Sequence, residues 1–296
     1  MSKPVPRSVQ EYLDQLRAAF AGEDPALAQD ALYDAEEYLR GELHEHPEKT
    51  EEQVLAAIAT TYGAPDEVAE AYRATEAKVQ IALRTPRPEK RSTSFGKFFG
   101  VLGDPRAYAS LFYMVLSIFT GIFYFVWAVT GISMSLAFMI LIIGLPFCLL
   151  FLGSTRLLSL VEGRIVETLL GVRMPRRPVH PGGSRPFKER VIEVFTDHRT
   201  WTTLLYMVLQ LGFGILYFTL FISIIGIAAT LILSPIELLG LGHIWVDFGD
   251  GPVTFSMLWT PLLMVLGVFV LVGFMHLARG IGYMHGHIAK HLLVQA

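Results

Sequence analysis

Two hydrophobic patterns divide this chain. From Ser8 to Tyr72 apolar residues recur every three or four positions, and from Ala107 onward they run together. Residues 107–155, 200–236 and 251–278 contain no Asp, Glu, Lys or Arg over 49, 37 and 28 positions. A helix needs about 20 apolar residues to cross a bilayer core. The first run therefore holds two spans with a tight turn near 130–135, and the other two hold one each. The predicted spans are 107–129, 134–154, 201–224 and 256–278. The fold class is all-α: a small cytoplasmic helical domain followed by a four-span membrane domain.

The periodic N-terminal part carries its own helix signals. Ser8-Val9-Gln10-Glu11 reads as a capping box, with Tyr12, Leu13, Leu16 and Phe20 following at helical spacing. Asp24-Pro25 is a cap with proline in the first turn, opening a helix whose apolar face is Leu27, Ala28, Ala31, Leu32, Ala35, Tyr38 and Leu39. Thr50-Glu51-Glu52-Gln53 is a second box, ahead of Val54, Leu55, Ile58 and Tyr62. Gly63 stops that helix and Pro65 starts the next. Four short helices make only a small core, one that a neighbouring domain would help to stabilise.

Inside the apolar runs one sentence occurs twice. "LFYMVLSIFTGIFYF" (111–125) and "LLYMVLQLGFGILYF" (204–218) share nine of fifteen residues at an offset of 93. Asp104-x-Arg106 and Asp197-x-Arg199 keep that offset. Further on, Arg156 matches Arg279 and "GRIVETLL" (163–170) matches "GHIAKHLL" (286–293) at an offset of 123. The second copy thus carries about 30 extra residues between its spans. The expected organisation is a helical domain at 1–80 and a linker at 81–97. Repeat 1 covers 98–177 and includes an interfacial amphipathic helix at 156–172. A second linker covers 178–190, and repeat 2 covers 191–296 with an external insertion at 237–255. Two spans per copy make the copies parallel, related by an axis along the membrane normal.

Charge sets the expected sidedness. Residues 156–199 carry nine Lys/Arg, whereas 130–135 and 237–255 carry none. The positive-inside rule then puts the N-terminus, the central segment and the C-terminus in the cytoplasm. No signal peptide is expected, because Glu11, Asp14, Glu23 and Asp24 interrupt the first 30 residues. Residues 1–80 hold 7 Lys/Arg against 17 Asp/Glu, so an acidic domain faces basic membrane-proximal segments. The single cysteine, Cys148, excludes a disulfide within the chain.

The repeated span supplies the candidate site. Tyr206, Gln210, Gly214 and Tyr217 are spaced 4, 4 and 3 and share one helix face, matched by Tyr113, Ser117, Gly121 and Tyr124. Polar groups are costly against hydrocarbon, so both faces are expected to point into the bundle, as packing glue or as a ligand pocket between the repeats. Arg106, Arg156, Arg164, Arg199 and Arg279 flank the spans and are expected to meet lipid head groups. Glu237, His243, Asp247 and Asp250 in the insertion, and His285, His287 and His291 after the last span, contain metal-ligating atoms without a defining spacing. Solvated or interfacial roles, with no metal, are expected for them. No P-loop, dinucleotide glycine pattern, G-x-S-x-G or H-E-x-x-H occurs, so no enzyme, no catalytic residue and no cofactor is expected.

Two family resemblances follow from particular stretches. "YLDQLRAAF" (12–20), "ALYDAEEYLRGEL" (31–43) and "YGAPDEVAEAY" (62–72) resemble the HAAS type of helical signalling domain, with Gly63-Ala64-Pro65 where that family usually has Gly-Asp-Pro. "GDPRAYASLFYMVLS", "GIFYF" and "LLSLVEGRIVETLLGVRMP" resemble the sensor membrane domain of some bacterial histidine kinases, although no kinase module is present. These resemblances imply a non-enzymatic signalling protein of the bacterial cytoplasmic membrane. It would sense an envelope or lipid-like signal and act through residues 1–80 on a PadR-like transcriptional regulator. Membrane lipids and a second copy of the chain are further expected partners, and direct nucleic-acid binding is not expected. The alternative is a transporter or binding protein for a lipid or small lipophilic molecule.

Overall fold

The structure, a computed structural model, describes residues 6–83, 93–140, 144–178, 192, 195–238 and 259–294. All regular structure among these residues is helical. The N-terminal domain is formed by α1 (Val9–Ala19), α2 (Pro25–Glu45), α3 (Glu51–Thr61) and α4 (Pro65–Leu83). Its starts follow the sequence signals. The Ser8 side chain accepts from the Glu11 N–H, the Asp24 side chain from the Ala26 N–H, and both halves of the Thr50–Gln53 capping box are made. Gly63 takes φ +108, a left-handed conformation that costs glycine little, and so closes α3. The apolar faces meet in a core of Tyr12, Leu13, Leu16, Leu39, Val54, Ile58 and Val68, among others.

The rest consists of α5 (Ser94–Phe99), a 3₁₀ turn (Gly100–Gly103), α6 (Pro105–Met139), α7 (Gly144–Leu170), α8 (His198–Leu238) and α9 (Thr260–Leu293). The last four are each long and apolar enough to cross a membrane. They run further than the sequence predicted. α6 continues through the expected turn at 130–135 because its small residues Ala128, Gly131 and Ser135 are buried against α7. A Cβ on Gly131 would lie 2.0 Å from the Phe151 ring, so glycine there serves close packing, not a turn. α7 joins the second predicted span to the predicted interfacial helix in one continuous rod. The insertion at 237–255 lies outside the described residues except for Glu237 and Leu238, which end α8, and most of both linkers lies outside them too.

The four long helices pack as two antiparallel hairpins, α6–α7 and α8–α9. Gly131 meets Phe151 in the first, and Gly267 meets Leu231 and Ile232 in the second. Between the hairpins α6 packs on α8, with Gly121 against Gln210 and Gly214 against Ser117. α6 also packs on α9, with Ser110 beside Gly282 and Tyr113 beside His285. The all-helical, four-span architecture agrees with the sequence.

Each hairpin base is pinned to the other by an equivalent pair. Asp104 caps α6 by accepting the Arg106 N–H and pairs with Arg279 at 2.9 Å. Asp197 accepts the Arg199 N–H and pairs with Arg156 at 2.9 Å. Asp104→Ala is expected to lower the stability of the purified protein by about 1–2 kcal/mol, the usual cost of a lost cap. Asp104→Asn keeps the capping oxygen and is expected to cost less than half as much, as thermal unfolding in detergent would measure.

Candidate functional site

All four long helices contribute to one buried polar cluster. α6 supplies Tyr113 and Tyr124, α7 Glu162, α8 Tyr206, Gln210 and Tyr217, and α9 His285, each at most 2 % exposed. The Glu162 carboxylate accepts three hydroxyls: Tyr113 at 3.0 Å and Tyr206 at 2.8 Å on Oε1, and Tyr124 at 3.1 Å on Oε2. On the other side, His285 Nε2 lies 2.6 Å from the Tyr113 hydroxyl and 3.1 Å from that of Tyr206. Its Nδ1 lies 3.1 Å from the Tyr217 hydroxyl. Gln210 Nε2 donates to the Tyr113 oxygen at 3.1 Å.

These contacts fall in matched sets at the offsets found in the sequence. Tyr113 and Tyr206 each touch both Glu162 and His285. Tyr124 touches Glu162, and its counterpart Tyr217 touches His285. Glu162 and His285 occupy corresponding positions, immediately before "GRIV" and "GHIA". One hairpin therefore presents an acid where the other presents an imidazole.

The structure thus brings all eight residues of the repeated faces to the α6–α8 seam. Ser117 and Gly121 meet Gln210 and Gly214 at its centre, where a Cβ on Gly121 would lie 2.7 Å from the Gln210 carbonyl oxygen and one on Gly214 2.4 Å from that of Ser117. The seam is closed there by backbone against backbone.

Glu162 and His285 stand in neither repeated face. Glu162 lies within 156–172, the segment expected to be an interfacial amphipathic helix. In the structure Leu157 and Val161 are exposed and Thr155, Ser159, Glu162 and Val166 are buried. Outward leucine and valine suit a hydrocarbon surround, and the carboxylate finds its donors inside. His285 was grouped with His287 and His291, but it is fully buried while both of those are exposed. Among the described residues no three His, Cys, Asp or Glu side chains gather to hold a metal.

The "Sensor" family model, whose description reads "Putative sensor", matches residues 113–293, well over half the chain. The chain belongs to this family. The match begins at Tyr113 and ends at Leu293, so it encloses every residue of the cluster. No curated protein and no solved structure matches the chain.

A second polar assembly joins the sensor domain to the N-terminal domain. Gly171, at φ +71, turns the chain back after α7, and Met174 packs beside Gly163. The following arginines reach the acidic face of α2. Arg173 donates to Asp30 at 2.7 Å and pairs with Glu76 of α4. The N–H groups of Arg176 and Arg177 both donate to Asp30 Oδ1, at 2.7 and 2.8 Å. Arg177 pairs with Asp34 at 2.9 Å, Arg199 donates to Gln29 at 3.0 Å, and Lys290 pairs with Asp24 at 2.6 Å. Burial pushes the Asp30 carboxyl above the ordinary carboxylate value, outweighing the Arg176 and Arg177 N–H groups and the nearby guanidinium charges. A cavity of about 370 Å³ opens here, lined by Asp30, Asp34, Glu76, Arg164, Arg173 and Arg176, among others. The five arginines expected at head groups have protein neighbours. Arg199 is buried on α2, Arg156 and Arg279 pair across the hairpins, Arg164 pairs with Glu167, and Arg106 approaches Gly171.

Proposed function

We propose that this multi-pass membrane protein is a non-enzymatic sensor whose hairpin bundle receives a signal and whose N-terminal domain delivers it to a cytoplasmic regulator. The carrying observation is α7. One helix holds Glu162 inside the bundle and leads, eleven residues on, to Arg173 in the interdomain latch. A change in how the cluster packs moves the rod from whose end the latch segment turns back. Two further readings go with this proposal. The paired hairpins arose by duplication, supported by their matched contacts. The basic segment at 173–177, the start of α8 and the end of α9 all lie on the cytoplasmic side, supported by their contact with one polar domain. Exposed Phe112, Phe119, Phe123, Trp201 and Leu205 suit a lipid surround.

The resemblance of residues 8–75 to HAAS domains suggests the regulator's class, a PadR-like transcription factor. The acidic faces of α2 and α4 already bind arginines of this chain, so a regulator with a basic surface would compete for them. The transport alternative gains no support at the seam, because backbone contact at Gly121 and Gly214 leaves no room for a path there.

The test is affinity capture of full-length protein from membranes, beside a variant lacking residues 1–80. Recovery of a transcriptional regulator by the full chain only, with transcripts altered on deletion, is the expected outcome. No regulator in either sample and unchanged transcripts would refute the sensor-to-regulator reading.

A further inference from the structure

One arrangement of protons satisfies the contacts of Glu162 and His285 together. Each tyrosine has one hydroxyl proton. In that arrangement Tyr113, Tyr206 and Tyr124 donate theirs to Glu162, whose carboxylate is surrounded by hydroxyls. The oxygens of Tyr113 and Tyr206 are then acceptors toward His285, which puts a proton on Nε2. Among the described residues Nδ1 meets the Tyr217 hydroxyl, a group that donates to a bare nitrogen or, turned round, accepts from N–H. The ring can therefore take a second proton without rearranging its neighbours.

The charge balance calls for that proton. The titratable groups facing the pair are Tyr113 and Tyr124 from α6, Tyr206 and Tyr217 from α8, and Glu162 and His285 themselves from α7 and α9. The remaining polar contact is Gln210, which is neutral. The nearest inter-hairpin arginines, Arg156 and Arg279, are engaged with Asp197 and Asp104. With His285 neutral, the Glu162 charge has no buried counter-charge in the cluster; with His285 protonated, the cluster is neutral overall.

We propose that Glu162 and His285, bridged by Tyr113 and Tyr206, form a binding site for one proton that locks the two hairpins together. It rests on the sensor reading and names that sensor's input as the proton. The sign follows from linkage. The packed bundle holds the proton more firmly than a loosened one, so the stabilisation is present at low pH and is lost as pH rises through the transition. Tyr124 and Tyr217, matched between the hairpins, bind opposite partners, so release of one proton unbalances a site shared by all four long helices.

The experiment uses full-length protein in lipid nanodiscs, with ¹⁵N-labelled histidine followed by NMR and thermal unfolding followed in parallel from pH 4 to 10. One ring, identified by its absence in His285→Gln, is expected to titrate, and a step in unfolding temperature is expected at the same midpoint. Glu162→Gln is expected to abolish the step, since no buried charge is left to neutralise. Should that variant fail to fold, Tyr217→Phe keeps both charges and removes the hydroxyl that Nδ1 meets in either protonation state. The bond to the charged ring is the stronger, so the midpoint is expected to move down by up to about one pH unit, the difference between the two bonds. A His285 ring that stays neutral throughout, or a step that survives in Glu162→Gln, overturns the proposal. Regulator capture is scored separately. Capture without a pH step leaves the sensor with another input, and a pH step without capture leaves the proton site standing and removes the output.

Discussion

Gly214→Ala is expected to force the two hairpins apart at their seam, even though alanine is the better helix former. The new Cβ would sit 2.4 Å from the Ser117 carbonyl oxygen and 2.9 Å from the Ile118 Cα. Both are backbone atoms of α6, so no side chain can turn aside and the two helices must separate. Overpacking of this kind costs about 1–3 kcal/mol. Separation also lengthens the hydrogen bonds that hold Glu162, and the cost is expected at the upper end of that range. Gly121→Ala, 2.7 Å from the Gln210 carbonyl oxygen, should behave alike. Gly212 and Gly226 provide the contrast, since a Cβ on either meets nothing within 4 Å. Gly212→Ala and Gly226→Ala are expected to be neutral or to stabilise by up to about 1 kcal/mol through helix propensity. Thermal unfolding of the four variants in one detergent gives the comparison. Equal losses for Gly214→Ala and Gly212→Ala would show that the seam is not packed as described.

That contrast also shows what the sequence made legible. Tyr113, Ser117, Gly121 and Tyr124 and their counterparts stand out because the apolar context changes between copies while their spacing does not. Helical periodicity then puts them on one face. Charge-free runs likewise reveal four membrane-length helices, since nothing else in a folded protein requires so many consecutive apolar residues. Two features were not legible. Amphipathicity alone gives α7 two solutions for its inward face: beside water the leucines turn in, beside lipid they turn out. Glu162 and His285 were hidden by the habit of judging a repeat by its identities. Their signal is a difference, an acid aligned with a histidine, next to the well-matched "GRIVETLL" and "GHIAKHLL".

Arg173→Met is expected to release the N-terminal domain from the sensor domain. Arg173, Asp30 and Glu76 have side chains only 10 %, 7 % and 12 % exposed, so the guanidinium neutralises two carboxylates largely out of water. Removing it leaves both with a diminished counter-charge. Breaking a buried pair from one side costs about 3–5 kcal/mol, and even the lower figure weakens docking roughly a hundredfold. Asp30→Asn is expected to be milder for two reasons. Asparagine keeps an oxygen for the Arg176 and Arg177 N–H groups, and the charge it removes is one that burial already disfavours. Lys290 and Asp24, 2.6 Å apart on the two domains, provide the readout. A zero-length carbodiimide joins an amine to a carboxylate only while they touch, so the Asp24–Lys290 cross-linked peptide reports docking by mass spectrometry. The expected order of yield is wild type, then Asp30→Asn, then Arg173→Met. If the regulator competes for the same acidic faces, its capture should rise in the reverse order. An Arg173→Met protein that cross-links like wild type would mean that Lys290 and Arg199 hold the domain without the latch, and that α7 has no mechanical hold on it through Arg173.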